Sequence, residues 1–294
     1  MKEKVIVQLT GGLGNQLFQY ALARAISLRN NMDLKVDINF FKTYKWHDYS
    51  LNPFNILKDY ISEVDINKSV YNHSLYKKIL VKLGFKINWD ESIYQERSLD
   101  YDNKVLGIKK TTYLKGYWQS EKYFEEIADV IRKDFRITIE PSPLNDAVLK
   151  DINSVNAVAL HVRRGNFVSE PDLLSFHGTC SLEYYQKAVQ YMNERVENPV
   201  YFLFSNDIAW CKESLNLGIN INYVDINSDK TDYEDLRLMM NCKHQIIANS
   251  TFSWWGAWLN ENPYKIIVAP KQWFADEAMQ QQTGDLIPET WIKL

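Results

Sequence analysis

The first forty residues contain two short apolar runs separated by a longer pattern of helical spacing. Residues 4–9 and 34–38 are rich in β-branched and other apolar side chains. Between them, apolar residues recur at helical intervals from residue 16 to residue 30. A strand, a helix and a second strand in this order are typical of a βαβ unit, so we expect a parallel sheet.

The next hundred residues are less regular. Residues 40–110 show weak periodicity and many Tyr, Trp, Phe, Asn and Lys residues, which indicates a variable, partly helical region. A short strand is predicted at 112–114, and Ser120 is expected to cap a helix that continues to about Lys133. Pro141 and Pro143 then interrupt a polar stretch, which predicts a domain boundary near 138–156.

Beyond this boundary, apolar runs alternate with helical patterns. The buried strands are predicted at 157–162, 200–205, 221–225, 245–248 and 265–269. The helices are predicted at 181–194, 207–217, 231–241 and 249–260. Thr231 and Glu234 have the spacing of a capping box at the start of the third helix. The alternation predicts an α/β protein of two Rossmann-type, doubly wound domains that face each other across a cleft, residues 1–145 and 146–294.

Length, charge and cysteine content narrow the possible functions. The 294 residues suffice for about two domains. The net charge of −3 argues against a general nucleic-acid binder, which would carry a basic surplus. The three cysteines lack the spacing of a zinc site or a disulfide framework. No apolar run is long enough for a signal peptide or a membrane span, so we expect a cytoplasmic protein, with peripheral contact at the inner face of the membrane left open.

A glycine-rich segment joins the first predicted strand to the first helix. Residues 11–16 read Gly-Gly-Leu-Gly-Asn-Gln, and such a loop lets backbone N–H groups approach a phosphate or a sugar. Gly12 and Gly14 fit the first two positions of a dinucleotide-binding fingerprint, and Asp37 ends the next strand. Leu17 occupies the third glycine position, so the fingerprint is incomplete. A nicotinamide-dependent oxidoreductase is therefore one alternative, and a tight turn without a ligand is another.

Polar side chains follow the predicted strands of the second half. Arg163 and Arg164 end the first of these strands, and guanidinium groups bind phosphate oxygens through two parallel hydrogen bonds. Asn206, with the aspartate after it, ends the next strand and either caps the following helix or faces a ligand. Asp225 ends a third strand, where its carboxylate could accept hydrogen bonds from guanine or could simply belong to a turn.

The segment 249–258 combines small polar residues with tryptophans at a strand-to-helix junction. Hydroxyl groups and helix-terminal N–H groups together form an anion site, for which Ser250 and Thr251 are the candidates. The three tryptophans of the segment are expected to anchor the helix in the core. An ordinary helix cap and core is the alternative interpretation.

Four of these segments, in this order, resemble the α-1,2-fucosyltransferases of glycosyltransferase family 11, in their bacterial type. They are residues 11–21, 161–165, 204–207 and 249–258. The resemblance implies a GT-B-like fold and an inverting transfer of L-fucose from GDP-β-L-fucose to the 2-hydroxyl of a terminal galactose, without a cofactor or a metal. The first domain would hold the acceptor, an oligosaccharide or glycolipid ending in a β-galactoside. The second domain would bind the GDP-sugar, and its last helix could pack back on the first. Another GDP-sugar transferase, such as an O- or α-1,6-fucosyltransferase relative, is the nearest alternative.

The resemblance also implies roles for individual residues. Arg163 matches the first arginine of the family's H-x-R-R-G-D motif and is implied to hold the β-phosphate of GDP. Arg164 either assists in holding the phosphate or has a structural role. His161 and Asp225 resemble residues that read guanine in related enzymes, and Asn206 is grouped with them as donor-binding. The stretch implied to line the pyrophosphate and the base is Ser250, Thr251 and Phe252. The loop implied to close over the donor or acceptor contains Gly12, Gly14, Asn15 and Gln16.

One position departs from the family pattern. Asn166 stands where the motif has Asp, and a neutral amide cannot take a proton from an acceptor hydroxyl. Glu170 or Asp172, a few residues further on, could serve as the general base instead. Alternatively, no strong base is needed, because the transition state is loose and resembles an oxocarbenium ion.

Overall fold

The computed structural model describes residues 2–70, 92–164 and 171–294. The chain divides into two compact units, Met1–Arg136 and Ile137–Leu294. Each unit contains a parallel sheet combined with helices, so the predicted α/β class is confirmed. No helix in the described ranges is both long and apolar enough to cross a membrane.

The first unit is built on a parallel sheet with the strand order β2-β1-β4-β3. Its strands are β1 (Lys4–Gln8), β2 (Asp33–Asp37), β3 (Ile93–Gln95) and β4 (Thr112–Lys115). Its α-helices are α1 (Leu13–Arg29), α2 (Glu63–Ser69) and α3 (Ala128–Asp134). The predicted β1-α1-β2 unit is therefore confirmed, and β3 is an addition that the weak local pattern did not reveal.

The single helix predicted from Ser120 to Lys133 is wrong. Ser120 does cap a turn, since its side chain accepts a hydrogen bond from the Lys122 N–H. The chain then forms two short 3₁₀ turns before α3. Phe124 lies between these turns with φ at −140°, outside the helical region. Its buried ring packs against Phe18 of α1, with the ring centroids 6.2 Å apart, and this contact accompanies the break.

The second unit is built on a larger parallel sheet with the order β10-β9-β8-β5-β6-β7. Its strands are β5 (Asn156–Val162), β6 (Pro199–Ser205), β7 (Ile221–Tyr223), β8 (His244–Ile246), β9 (Ile267–Ala269) and β10 (Ile292–Lys293). Its helices are α4 (Pro143–Ser154), α5 (Pro171–His177), α6 (Leu182–Asn193), α7 (Ile208–Ser214), α8 (Asp232–Asn241), α9 (Thr251–Leu259) and α10 (Glu277–Gln280). The chain ends in a strand that the sequence pattern did not predict.

Two helix starts in the second unit differ from expectation. Pro143 does not break regular structure but occupies the first turn of α4, where its missing N–H costs nothing, and Ser142 caps this helix. The capping box at α8 is wrong: the Thr231 side chain makes no cap hydrogen bond. The Glu234 carboxylate instead accepts from Arg237 Nε at 2.8 Å.

Each sheet contains one pair of neighbouring strands that are not consecutive in the chain, and candidate site residues follow these strands. In the second sheet β5 lies beside β8, although β6 and β7 come between them in the chain. In the first sheet β1 lies beside β4 in the same way. Successive connections run in opposite directions from such a pair, and ligands of open α/β sheets bind beyond the carboxyl ends of these strands.

Candidate active site

Strand β5 directs its side chains alternately into two buried clusters. Val158 and Leu160 pack with residues of α6, whereas Ala157 and Ala159 pack with residues of α4 and α8. His161 continues the second set, and its ring centroid lies 5.7 Å from that of Phe252 in α9. The burial pattern of β5 therefore brings His161 and the arginines that follow it to the edge shared with α9.

His161 is a buried, neutral histidine. It is only 5% exposed, and its Nδ1 has no hydrogen-bond partner among the described residues. Burial and the positive charge of Arg163 lower the pKa of His161 to about 3. At neutral pH the ring therefore carries no charge, and it offers one nitrogen as donor and the other as acceptor.

Arg163 is half-buried just beyond the end of β5. Burial lowers the pKa of its guanidinium and the carboxylate of Asp229 opposes that shift, but an arginine stays protonated in either case. The charge of Arg163 also contributes to lowering the pKa of His177, at the end of α5, after the larger effect of burial. Arg163 is thus a partly desolvated cation, a state in which hydrogen bonds to phosphate are strong.

Arg164 is engaged with its own unit. Its guanidinium lies 3.6 Å from the ring centroid of Trp210, and its Nε lies 3.5 Å from the Asp207 carboxylate. Its backbone N–H donates to the Asn206 side chain at 3.0 Å. Asp207 in turn caps α7 by accepting from the Trp210 N–H. Arg164 and Asn206 therefore brace the ends of β5 and β6, and a direct contact of either with the donor stays a prediction.

Asp225 does not end a strand, because β7 stops at Tyr223. Its side chain is 60% exposed, and its carboxylate lies 3.4 Å from Lys212 Nζ. This is a surface ion pair, of a kind that contributes little to stability. The guanine-reading role of Asp225 stays a prediction.

The segment after β8 holds the start of α9 in a fixed position. The buried Asn249 amide donates to the carbonyls of His177 and Trp273, each at 3.0 Å. Ser250 is the N-cap residue of α9, but its side chain makes no cap hydrogen bond. The N–H groups of a helix's first turn have no partner within the helix. The loop therefore presents small hydroxyl residues, with Thr251 first in the helix, beside a positive helix end.

The remainder of this segment forms the expected core anchor. The three tryptophans of α9 are buried against one another: Trp254, Trp255 and Trp258. Trp254 Nε1 also donates to the Leu286 carbonyl at 2.8 Å. Phe252 is half-buried and packs against the cluster that contains Val224. The segment thus consists of a start with small hydroxyl residues and a body of buried tryptophans, and the binding of a ligand at the start stays a prediction.

The sequence analysis did not identify three titratable side chains near the carboxyl end of β5, those of His177, Asp229 and Asp232. His177 and Asp229 interact electrostatically with Arg163. Burial raises the pKa of Asp232, at the start of α8, to about 7. None of them lies in a recognisable motif, so only the strand order could reveal them.

The glycine loop of the first unit has strict steric requirements. Gly11 has φ of +74°, and a Cβ there would lie 2.7 Å from Asn15 Nδ2, so only glycine fits. A Cβ at Gly12 would lie 3.4 Å from the His47 ring. Gly14 is buried inside the first turn of α1. Asn15 accepts a hydrogen bond from Gln119 Nε2 at 3.0 Å, which ties this loop to the one after β4.

Two polar residues near this loop are occupied internally. The fully buried Gln16 donates to the carbonyls of Gly11 and Asp48 and accepts from the Ser50 N–H, each at 2.9 Å. We therefore assign Gln16 to holding the loop in shape, in place of the predicted ligand contact. The Asp37 carboxylate accepts from Tyr113 and Asn39, so it is not presented to a ribose as the nicotinamide alternative requires.

The general-base candidates are only partly within the described ranges. Asn166 and Glu170 lie outside the described residues. Asp172 is exposed in the first turn of α5. Within 2–70, 92–164 and 171–294, no group of three or more His, Cys, Asp and Glu side chains is arranged to hold a metal ion.

Comparison with known proteins identifies the family. The profile of glycosyl transferase family 11 matches residues 4–294. The chain is 35% identical over 301 residues to an alpha-1,2-colitosyltransferase of Escherichia coli, an alignment that covers 99% of this chain and 98% of the relative. It is 25% identical over 154 residues to human galactoside alpha-(1,2)-fucosyltransferase 1, covering 50% of this chain and 42% of that protein.

A solved structure has the same fold. FUT1 of Arabidopsis thaliana, determined in complex with GDP, matches with a TM-score of 0.51 and 12% identity, over 91% of this chain and 70% of that one. The predicted GT-B-like α/β fold is thereby confirmed. The family profile gives no support to the nicotinamide alternative. Fold, motifs and profile agree, and the chain belongs to glycosyl transferase family 11.

Proposed function

We propose that the protein transfers L-fucose from GDP-β-L-fucose to the 2-hydroxyl of a terminal galactose, with inversion at the anomeric carbon. The observation that carries this proposal is that Arg163 follows β5 while α9 begins after β8, the strand beside β5 in the sheet. The names of the relatives support the α-1,2 linkage, and that of the human relative supports the galactoside acceptor.

The second unit would stabilise the departing GDP. When the bond between fucose and phosphate breaks, negative charge builds up on the β-phosphate. Arg163 and the N–H groups at the start of α9 offset that charge, and such preorganised groups usually make the largest contribution to catalysis. The acceptor hydroxyl then attacks the opposite face of the sugar, which inverts the anomeric centre.

The base of the nucleotide would lie against His161 and Phe252. The two rings are in contact, and the Nδ1 of the neutral histidine can accept from or donate to a polar edge. Phe252 contributes an apolar face for stacking. Both residues lie near the carboxyl end of β5, which Arg163 follows. One nucleoside diphosphate would therefore contact all three residues.

The proposed function is tested by incubating the protein with GDP-L-fucose and a panel of β-galactosides. Release of GDP and an α-1,2 linkage in the product, read by NMR, would support it. The panel of donors should include nucleotide-activated colitose, because one relative is a colitosyltransferase. If the protein transfers sugar from neither donor to any galactoside, the proposed acceptor is wrong. If it transfers only from nucleotide-activated colitose, the proposed donor is wrong.

We also propose that the transfer needs no metal ion. The positive charge of Arg163 and the start of α9 would act at the leaving phosphate, where metal-dependent transferases use a cation. Activity is therefore expected to survive excess EDTA within about twofold. Complete loss of activity that manganese or magnesium restores would contradict this mechanism.

Asp225 provides a test of guanine recognition. Asp225→Ala is expected to weaken GDP binding by about 1–3 kcal/mol, the scale of a hydrogen bond to a charged group. Lys212→Ala is the matched control, since it breaks the same surface ion pair but keeps the carboxylate. Calorimetry should show weaker GDP binding for Asp225→Ala alone, and equal affinity for all three proteins would make Asp225 a surface residue without this role.

The buried His161 predicts a pH dependence of stability. Its pKa of about 3 lies below the ordinary value of 6.5, so only the unfolded state binds a proton between these limits. Stability should therefore fall as the pH drops from about 6.5, by up to about 1.4 kcal/mol per pH unit from this residue.

The comparison of wild type with His161→Gln isolates this contribution. The raised pKa of Asp232 acts in the opposite direction, but it is common to both proteins and cancels in the difference. Urea unfolding at pH 7 and at pH 5 should show a smaller loss of stability on acidification for His161→Gln. Equal losses in the two proteins would mean that His161 takes up a proton in the folded state.

A further inference from the structure

A second set of polar groups lies at the carboxyl ends of three neighbouring strands in the first unit. Asn15 follows β1, Glu96 follows β3, and Tyr117, Trp118 and Gln119 follow β4. The sheet order puts β4 between β1 and β3, so these groups come from adjacent strands. The hydrogen bond between Asn15 and Gln119 and those between Glu96 and the β4 loop join them into one cluster.

Glu96 is the charged member of this cluster. Its two carboxylate oxygens accept from the backbone N–H groups of Tyr117, at 2.6 Å, and Trp118, at 2.8 Å. It has no cationic partner in the described parts of the chain, and burial raises its pKa despite the two N–H donors. Each oxygen keeps a further lone pair, so the carboxylate can accept additional hydrogen bonds from a ligand.

Two buried side-chain polar atoms of the loop after β4, whose backbone Glu96 binds, have no hydrogen-bond partner within the described residues. They are Nε1 of Trp118 and Oε1 of Gln119, in side chains that are 1% and 7% exposed. Trp118 also has φ of +58°, an unusual conformation for a bulky residue and one that is often found at functional sites. Buried donors and acceptors are almost always paired, so this donor and this acceptor point to a ligand with complementary groups.

The chemistry of the cluster selects the ligand class. A carboxylate without a cation repels phosphate, so the nucleotide does not fit here. Hydroxyl groups suit it, because they donate to the carboxylate and to Gln119 and can accept from the Trp118 indole. The Tyr117 ring, 43% exposed, adds an apolar face of the kind on which the C–H face of a sugar packs.

We propose that Glu96, Trp118 and Gln119, together with the Tyr117 ring, form the subsite that binds the acceptor sugar, with Glu96 accepting hydrogen bonds from its hydroxyl groups. This inference rests on the proposed function, which requires a neutral sugar as acceptor. It assigns Glu96 to binding the acceptor, and it places the subsite within the first unit.

The first test is Glu96→Gln. This change removes the charge and turns one oxygen into a donor, so the KM for the galactoside acceptor should rise about 10- to 100-fold. The affinity for GDP and the slow hydrolysis of GDP-fucose without acceptor should stay within twofold of wild type. A general loss of structure would change these donor measurements as well, and the Tyr117 variants separate a local effect on the β4 loop from a loss of binding groups.

Tyr117 gives a second test that does not depend on the backbone contacts of Glu96. Tyr117→Ala should raise the acceptor KM about tenfold, whereas Tyr117→Phe keeps the ring and should stay within about threefold. Tyr264→Ala is the control, because Tyr264 is an exposed tyrosine of the other unit, 84% accessible. It should leave the acceptor KM unchanged. If Glu96→Gln does not fold, the Tyr117 pair decides the question.

The outcomes separate this inference from the proposed function. If wild type transfers fucose and the folded variants keep the wild-type acceptor KM, the subsite is wrong while the function stands. A loss of kcat with unchanged acceptor KM would also overturn it, since that pattern belongs to a group that acts only in the transition state. If wild type transfers to no galactoside, binding of the same sugars is read by saturation-transfer NMR. Binding that Glu96→Gln abolishes supports the subsite, and absent or unchanged binding overturns it.

Discussion

Arg163→Ala is expected to lower kcat by about 100-fold or more. Arg163 is half-buried directly after β5, and α9 begins after the neighbouring strand β8. The proposed mechanism develops negative charge on the leaving β-phosphate at this end of the two strands. Loss of one such charge partner from a preorganised site usually costs two to three orders of magnitude. The rate is measured as GDP release at saturating donor and acceptor.

Two further variants sharpen this test. Arg163→Lys keeps the charge but loses the fork of parallel N–H groups, so it should recover little of the rate. Arg195→Ala is the matched control, because Arg195 stacks on Tyr191 and pairs with Glu194 at the surface of the same unit. Its kcat should equal that of wild type. A folded Arg163→Ala protein with nearly normal turnover would remove Arg163 from the mechanism.

The position of the proposed donor site was largely predictable, because it follows directly from the strand patterns. β5 and β6 are continuous apolar runs, and polar residues begin where each run stops. The sequence therefore placed His161 and Arg163 correctly at a strand end. It could not assign Arg164 and Asn206 to bracing that edge, because their contact joins residues 42 positions apart.

The elements that the sequence pattern missed are short or have unusual starts. β3 and β10 have three and two residues, too few for a periodic signal. α4 begins with a proline, which the pattern suggested as a break rather than a first turn. The helix after Ser120 is divided because Phe124 leaves the helical conformation, and no local signal marks this.

Gln16 and the Glu96 cluster show that residue type and motif alone do not identify the polar residues that bind a ligand. Gln16 lies in a motif, yet its amide nitrogen and its amide oxygen both bond backbone groups. Glu96 lies in no motif, yet the order of the first sheet puts it beside Trp118, 22 positions away. Only contacts between segments far apart in the chain distinguish the two cases: Gln16 bonds the backbone of Asp48 and Ser50, whereas Glu96 bonds the loop after β4. One sequence does not supply these contacts.

The general base is the remaining step of the proposed mechanism. Glu170→Gln and Asp172→Asn test the two candidates, and the variant that removes the base should lose about 10²–10⁴-fold in kcat. GDP affinity should stay within twofold, because a base acts only on the acceptor hydroxyl. Asp172 lies on the helix that ends at His177, whose pKa Arg163 helps to lower, so this helix leads toward the proposed phosphate site.

Asn166→Asp restores the acidic residue of the family motif and so tests whether the chain already has a base. With a working base at residue 170 or 172, this change should be neutral or mildly harmful. A large gain in kcat would mean that the natural chain lacks a base that it could use. If Glu170→Gln, Asp172→Asn and the double variant all keep the wild-type kcat, proton removal does not limit the rate. The loose transition state, with the leaving phosphate held by Arg163, would then account for the reaction without a base.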